Sequence, residues 1–424
     1  MMRRRFLTTT AVLDVAALAV AVLVGLAFVP DFGQGVDPID VAPLFGSMLG
    51  GAIIGSYVSV RSWGEGAPRP SYGRAVSIVS IGVSLTALAV VSTRMYWSRP
   101  FFVITSVAWL GLALAHRAYR RRRPWAESIV AISNEKELVE DLRSAPHANL
   151  VDSLDPRAEP PTRPFPPGTV MAVDLRAVLS DTMAQYVSSL HLAGRSMRGF
   201  TSVYEEHTGR LPIVHLMEGW ELTEPLEARG VYVGLKRAID IVLVTLTAPI
   251  WLLLSGIIAI VIRLDSNGPV IFAQPRAGRG GKPFVLYKFR TMVREADATG
   301  AQFAVPDDER LTRVGRGLRR FRVDELPQLW NVLKGDLSLV GPRPEQIPFV
   351  ERFGQTIPFY THRHLIRPGV TGWAQVNFGY ADNEIDTVEK LSYDLYYLKH
   401  VSPWLDLSIL GRSVWTVLSG FGAQ

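Results

Sequence analysis

Two adjacent carboxylates, Asp324 and Glu325, follow the stretch GRGLRRFR, in which four of eight residues are arginine, and stand just ahead of Pro327. One acid would be enough to pair with an arginine. Two side by side in a basic neighbourhood suit chemistry on an anion, because Mg2+ binds through one or two carboxylates plus the phosphates of a substrate. A helix N-terminus favours negative charge and would keep Asp324 ionised. An ionised aspartate held in this way can attack phosphorus and carry a phosphoryl group. The plainer reading is a helix cap: Asp324 suits an N-cap with Pro327 in the first turn and Gly335 at the end, worth about 1 kcal/mol.

Cations suited to phosphate oxygens lie on both sides of the pair. VIFAQPRAGRGGKPFVLYKFRTM reads as two strands joined by a glycine-rich turn. Strand alternation puts Lys288 and Arg290 on one face, near Arg276. The turn is not a P-loop, since Lys282 is followed by Pro283 and the first required glycine is missing. In RVGRGLRRFR, Val314, Leu318 and Phe321 recur at helical spacing with Arg316, Arg319 and Arg320 on another side. That pattern suits a surface helix resting on lipid, with Arg319 the best placed to meet a substrate. The acids of PDDER read as a solvated turn, and His362 and His364, which flank Arg363, as surface or packing residues. The chain has no cysteine, which removes thiolate chemistry and disulfides. No GxSxG or HExxH occurs either, so serine-hydrolase and zincin chemistry have no support.

These residues need a platform, and the platform is a membrane. Of the 424 residues, 48% are hydrophobic, and the first 115 are mostly apolar. Apolar segments at 6–29, 42–60, 75–91 and 101–115 approach the length of about 20 residues that crosses a bilayer. Arg3, Arg4 and Arg5 precede the first. The loop PDFGQGVDPID carries three aspartates and no cation; the next loop has Arg61, Arg69 and Arg74, and HRAYRRRR follows the fourth segment. Basic loops stay inside, which predicts four transmembrane helices in residues 1–123 with both ends cytoplasmic; Arg94 and Arg99 fit this less well. The net charge of +6 belongs with lipid headgroups rather than nucleic acid, because the cations flank apolar runs.

Residues 124–229 alternate β-like runs (SIVAI, TVMAVDL, LPIVHL) with helix-like ones, which predicts a small Rossmann-like α/β insert with a parallel sheet and no GxGxxG nucleotide loop. From 230 onward the chain turns hydrophobic again at 236–262, flanked by Lys236, Arg237 and Arg263, with Pro249 in the middle. Cations at both ends favour the same side of the bilayer, and a mid-helix proline forces a bend. The expectation is a re-entrant hairpin hinged at Pro249, not a fifth crossing. The apolar, aromatic C-terminal stretch reads as an interfacial helix.

From Lys236 onward the chain resembles the monotopic polyprenyl-phosphate glycosyl-1-phosphate transferases, the bacterial sugar transferase family. The resemblance rests on KRAIDI, QPRAG, YKFRTM, RVDELPQLWNVLKGDLSLVGPRP, IRPGVTGWAQVN and DLYYLKH, in that order. The preceding spans and an insert bearing YEEHTGRLP resemble the large members, which prime exopolysaccharide or O-antigen synthesis.

The resemblance implies an enzyme of the bacterial inner membrane, multi-pass, with its catalytic domain on the cytoplasmic face. Asp324 would attack the sugar-bearing phosphate of a UDP-sugar, releasing UMP, and undecaprenyl phosphate would collect the phosphosugar. Glu325 matches the family's second acid, a Mg2+ ligand or a base. Arg276, Arg319 and Arg343 match basic positions expected to hold phosphates or lipid; Lys288, Arg290 and Arg367 join them as substrate-binding candidates. One departure is the bend, usually Ser-Pro, which here is Ala248-Pro249 and lacks a hydroxyl that could bond back to the helix. Two other readings stay open: direct transfer with Asp324 only holding the metal, and a non-catalytic scaffold of the polysaccharide machinery. The sugar is unread, and the resemblance leaves room for a homodimer and for polysaccharide assembly partners.

Overall fold

A computed structural model describes residues 2–32, 38–62, 72–93, 98–122, 126–213, 216, 231–293, 310–378 and 384–419. The acids of PDDER before Arg310 lie outside these residues. The chain forms two compact units, Met1–Thr208 and Gly209–Gln424.

The first unit opens with four helices, α1 (Met2–Phe28), α2 (Pro38–Ser62), α3 (Tyr72–Thr93) and α4 (Arg99–Arg121). The third and fourth extend further than their apolar runs. Thr10–Phe28, Tyr72–Ser92 and Arg99–Arg121 are long and apolar enough to cross a membrane, and α2 carries a shorter apolar stretch, Ala42–Val58. α1 packs on α4 and α2 on α3. Small residues allow the second contact: a Cβ on Gly51 would sit 2.8 Å from the Gly82 carbonyl oxygen, and one on Gly55 2.8 Å from that of Ile78. α1 and α4 are tied by a buried ion pair, Asp14 to Arg117, at 2.5 and 2.7 Å. HRAYRRRR is therefore not all headgroup flank, because Arg117 is fully buried within the bundle.

The insert has β1 (Glu127–Ile132), α5 (Lys136–Ser144), β2 (Ala148–Leu154), β3 (Val170–Val173), α6 (Asp181–Leu192), β4 (Ser196–Gly199) and α7 (Phe200–Thr208). The sheet is parallel with order β2-β1-β3-β4. Ile129 and Ala131 face one apolar layer while Val130 and Ile132 face the other, as in a sheet covered on both sides. The run LPIVHL is expected as a strand, but its described residues, 211–213 and 216, do not join the sheet. Pro212 cannot donate to a ladder, and Leu211 is instead buried in the second unit, its N–H donating to the Ser392 carbonyl at 3.0 Å.

The second unit starts its membrane segment with α8 (Val231–Leu246) and α9 (Ala248–Asp265), broken at Thr247 with Pro249 in the first turn of α9. The hydroxyl missing at Ala248 is supplied one residue earlier: Thr247 Oγ1 donates to the Leu243 carbonyl at 2.8 Å. The Trp251 indole N–H donates to the Val244 carbonyl at 3.1 Å, so the broken turn is not left unsatisfied. Apolar side chains of α9, among them Leu253 at 68% and Ile260 at 63% exposure, face outward as a lipid-facing helix requires.

A hairpin follows, β5 (Ile271–Ala277) and β6 (Pro283–Phe289), then α10 (Arg313–Arg320), a 3-10 turn at Val323–Glu325, α11 (Gln328–Lys334), β7 (Ser338–Val340), α12 (Ile347–Thr356), β8 (Gly369–Thr371), α13 (Trp373–Asn377), α14 (Glu384–Lys399) and α15 (Pro403–Ser419). β7 and β8 pair in parallel. The backbones beyond them touch, and a Cβ on Gly369 would lie 2.1 Å from the Gly341 nitrogen. Only glycine permits that approach between VGPRP and RPGVTG. Polar residues of KRAIDI hold α8 to this unit: Lys236 bonds Asp406 at 2.6 Å, Arg237 bonds the Val332 and Leu333 carbonyls, and Asp240 accepts from Ser338 at 2.7 Å. α15 is thus anchored through buried Asp406, which also accepts from Tyr232 and Tyr397 at 2.6 Å each.

Candidate active site

Asp324 is not the helix cap that its spacing allows. It lies in the 3-10 turn, and the N-cap of α11 is Pro327. A cap accepts from the second or third residue beyond it. Here the third is proline, with no N–H, and the Leu326 N–H is already given to the Val323 carbonyl at 3.2 Å. The carboxylate therefore finds no backbone donor. It makes no hydrogen bond or ion pair among the described residues, although Asp324 is only 7% exposed. Gly335 does end α11, at φ 99°.

Glu325 is bonded where Asp324 is bare. Its Oε1 accepts from Lys288 Nζ at 2.9 Å and lies 3.2 Å from Arg343 Nη2. Burial would raise its pKa, but Lys288, Arg343 and Arg322 together hold the carboxyl well below the usual range. Asp324 shifts the other way. Burial pushes its pKa up and the charge of Glu325 adds to that, against the pull of Lys288, Arg319 and Arg343.

Each cation has a mount. Lys288 rides on β6, whose free edge is closed by buried Asn331. The Tyr287 N–H donates to Asn331 Oδ1 at 3.1 Å, and Asn331 Nδ2 donates to the Val285 carbonyl at 2.7 Å. Arg319 is set by its Nε donating to Thr291 Oγ1 at 3.1 Å. Arg343 sits in GPRP between two prolines, which restrict its backbone. The turn that swings the chain from α10 into the acid pair requires a left-handed residue, Arg322, at φ 51° and ψ 22°.

The predicted residues thus divide. Asp324, Glu325, Lys288, Arg319 and Arg343 form one group. Arg276 stands behind it, donating to the Pro344 carbonyl at 3.3 Å and to Gln274 at 2.7 Å; burial brings its pKa down to about 10, opposed by Glu345, so it stays charged. Arg290 leaves Lys288 and turns to the end of α9, donating to Ser266 at 2.8 Å and to the Asn267 carbonyl at 3.2 Å. Arg367 is at the far end of α11, where its Nε donates to the Gly335 carbonyl at 3.1 Å beside Arg237. Of the two histidines flanking buried Arg363, His364 is buried and His362 half-buried. Asn331 lay within the motif unassigned; its only sequence signal was an amide amid an apolar helix.

Residues 231–420 match the bacterial sugar transferase family. The chain is 44% identical over 249 residues to a UDP-N-acetylgalactosamine-undecaprenyl-phosphate N-acetylgalactosaminephosphotransferase of Aeromonas hydrophila, covering 58% of each protein. It is 45% identical over 225 residues to a UDP-glucose:undecaprenyl-phosphate glucose-1-phosphate transferase of Escherichia coli (strain K12), covering 51% of this chain and 45% of that one. The chain thus spans about half the length of these two curated relatives. It spans 90% of an uncharacterized sugar transferase, EpsL, of Bacillus subtilis (strain 168), at 46% identity over 199 residues, or 45% of this chain.

Proposed function

Because the chain belongs to the bacterial sugar transferase family, we propose that it moves a sugar-1-phosphate from a UDP-sugar to undecaprenyl phosphate and so primes an exopolysaccharide or O-antigen. The observation that carries the reading is the contrast inside the acid pair. Among the described residues Asp324 has no bond of its own to break before it attacks, while Glu325 holds two cations at its side. In the first step an Asp324 oxygen bonds to the sugar-bearing phosphorus, the phosphoanhydride bond breaks, and UMP leaves with the electron pair. In the second, an oxygen of undecaprenyl phosphate attacks the same phosphorus and the Asp324 carboxylate departs. Lys288, Arg319 and Arg343 offset the charge gathered around the phosphorus.

The donor set fits Mg2+ shared with a substrate. Among the described residues no three side chains form a metal cage, but Asp324 is free and Glu325 keeps its Oε2. A magnesium ion on these carboxylates and the diphosphate would neutralise phosphate charge. Glu325 then serves chiefly to hold Lys288 and Arg343 in register.

The membrane segment reads as a re-entrant hairpin in the cytoplasmic leaflet of the inner membrane, supported by the break at Thr247 and by cations at both ends. The test of function is UMP release from a panel of UDP-sugars by the protein in nanodiscs with Mg2+ and undecaprenyl phosphate. Lipid-dependent release with one sugar supports the reading, and UMP exchange without lipid separates the covalent route from direct transfer. Silence across the panel overturns it.

A further inference from the structure

Behind the acid pair lies an enclosed ionic cluster that the reaction above does not use. Arg363, its side chain 3% exposed, donates through Nη2 to Asp394 Oδ2 at 2.7 Å and through Nη1 to the Tyr360 hydroxyl at 3.0 Å. Nη1 also lies 3.6 Å from Glu345 Oε1, which Lys390 binds as well. Such a cluster is costly to desolvate, and apolar side chains of similar volume would usually stabilise a core as well or better. Its geometry points to a different use.

One further bond leaves the cluster: Arg363 Nη2 donates to the main-chain carbonyl of Arg343 at 3.1 Å. The flanking residues are pinned too. The Gly341 N–H donates to the Thr371 carbonyl at 2.9 Å, and the Pro342 carbonyl accepts from the Gly369 N–H at 2.9 Å. The Pro344 carbonyl accepts from Arg276 at 3.3 Å, and that of Glu345 from the Ala277 N–H at 3.0 Å. Every residue of 341–345 is therefore held through its main chain, and the side chain so delivered is the Arg343 guanidinium, 3.2 Å from Glu325. We propose that Arg363 is a positioning residue: by holding the Arg343 carbonyl it sets that guanidinium on Glu325, while Asp394 and Glu345 fix Arg363 itself. An arginine is required because its planar fork serves three acceptors at once, whereas lysine keeps the charge without that fan of donors.

The inference rests on the proposed transfer only for its kinetic arm. In the full chain in nanodiscs, Arg363→Lys should lower kcat for UMP release by about 10–100-fold, the penalty of a misplaced group, with KM for both substrates little changed. Added to Arg343→Ala, it should cost nothing more, since its effect runs through Arg343. Multiplying losses in the double variant, or an unchanged kcat in Arg363→Lys, would overturn the proposal. Amide hydrogen exchange reads the clamp without catalysis: peptides covering 341–346 should exchange faster in Arg363→Lys while β1 and β3 do not change, and equal exchange there overturns it. A wild type silent in UMP release, with Arg363→Lys still showing that exchange pattern, would remove the functional reading and leave the clamp standing. Should Arg363→Lys not fold, Asp394→Asn loosens Arg363 from its other side and must show the same pattern in milder form.

Discussion

Asp324 and Glu325 are consecutive in one 3-10 turn and almost equally enclosed, at 7% and 9% exposure, yet among the described residues only Glu325 is bonded. Glu325 spends its charge on Lys288 and Arg343, which leaves Asp324 a buried carboxylate with cations near but none attached. Such a group costs stability and is poised to react, the usual trade at an active site.

Asp324→Asn therefore separates activity from stability. UMP release and lipid-free UMP exchange should fall by at least about 10³-fold, as for loss of a covalent nucleophile. The melting temperature should hold or rise, because no bond is lost and a buried charge is removed. In the wild type the acid limb of the rate profile should lie above the ordinary carboxylate range, because burial raises the pKa of Asp324 and its attack needs the ionised form. A normal acid limb, or a large drop in melting temperature for Asp324→Asn, would contradict the unbonded carboxylate.

Glu325→Gln should do the reverse to stability. It takes a charged partner from Lys288 and from Arg343, whose side chains are 19% and 28% exposed. We expect a loss of about 2 kcal/mol, below the 3–5 of a fully buried pair. Removing the neighbouring charge should also lower the pKa of Asp324, moving the acid limb of any residual activity to lower pH. Denaturant unfolding and a pH profile check the two halves separately.

Much of this site was legible because its residues are local in sequence. The acid pair, the arginines of GRGLRRFR and the proline break each announce themselves within a few positions. What the sequence concealed was commitment. Lys288 and Arg290 are two residues apart and look equivalent, but only tertiary packing decides that one meets Glu325 and the other caps α9. Likewise Pro327 looked harmless in the first turn of a capped helix, whereas its missing N–H helps leave the candidate cap unbonded. Leu211 was misread as a strand of the insert because a short apolar run does not say which core will bury it.

Arg322 holds a left-handed backbone just before the pair. An L-residue pays about 1–2 kcal/mol for that conformation. Arg322→Gly and Arg322→Ala lose the same charge, so their difference isolates the backbone. The glycine variant should be the more stable by about 1 kcal/mol and should retain more UMP release, since its turn still aims the acids. Equal stability and activity in the two would mean that the turn relaxes without cost.

His364 gives the protein an acid-sensitive step. Burial, with Arg363 beside it, pushes its pKa from 6.5 to about 4 against the opposing pull of Glu345. Between those values the unfolded chain binds a proton that the folded one refuses. Stability should thus be full above pH 6.5 and fall as the pH drops toward 4, by roughly 1 kcal/mol at pH 5.5 and on the order of 3 kcal/mol over the window. His364→Gln should flatten that part of the curve in melts taken at pH 7.5, 6.5 and 5.5. An identical slope in the variant would place the titration elsewhere.

The break at Thr247 makes the topology testable. α9, at 18 residues, is about 27 Å long, enough to cross the hydrocarbon layer, so length does not choose between a span and a hairpin. Pro249 and the flanking cations favour the hairpin, which is the expectation to test. The chain has no cysteine, so a single introduced thiol is its own reporter. Gly234→Cys and Asn267→Cys lie at exposed positions at the two ends of the segment. An impermeant maleimide should reach both from the same face of sealed vesicles, and labelling from opposite faces would make the segment a span. Adding Pro249→Leu restores a backbone donor and removes the ring that breaks the helix, so Asn267→Cys should move to the opposite face. If it stays, Lys236, Arg237 and Arg263 hold both ends on one side without the proline, and the bend follows from charge.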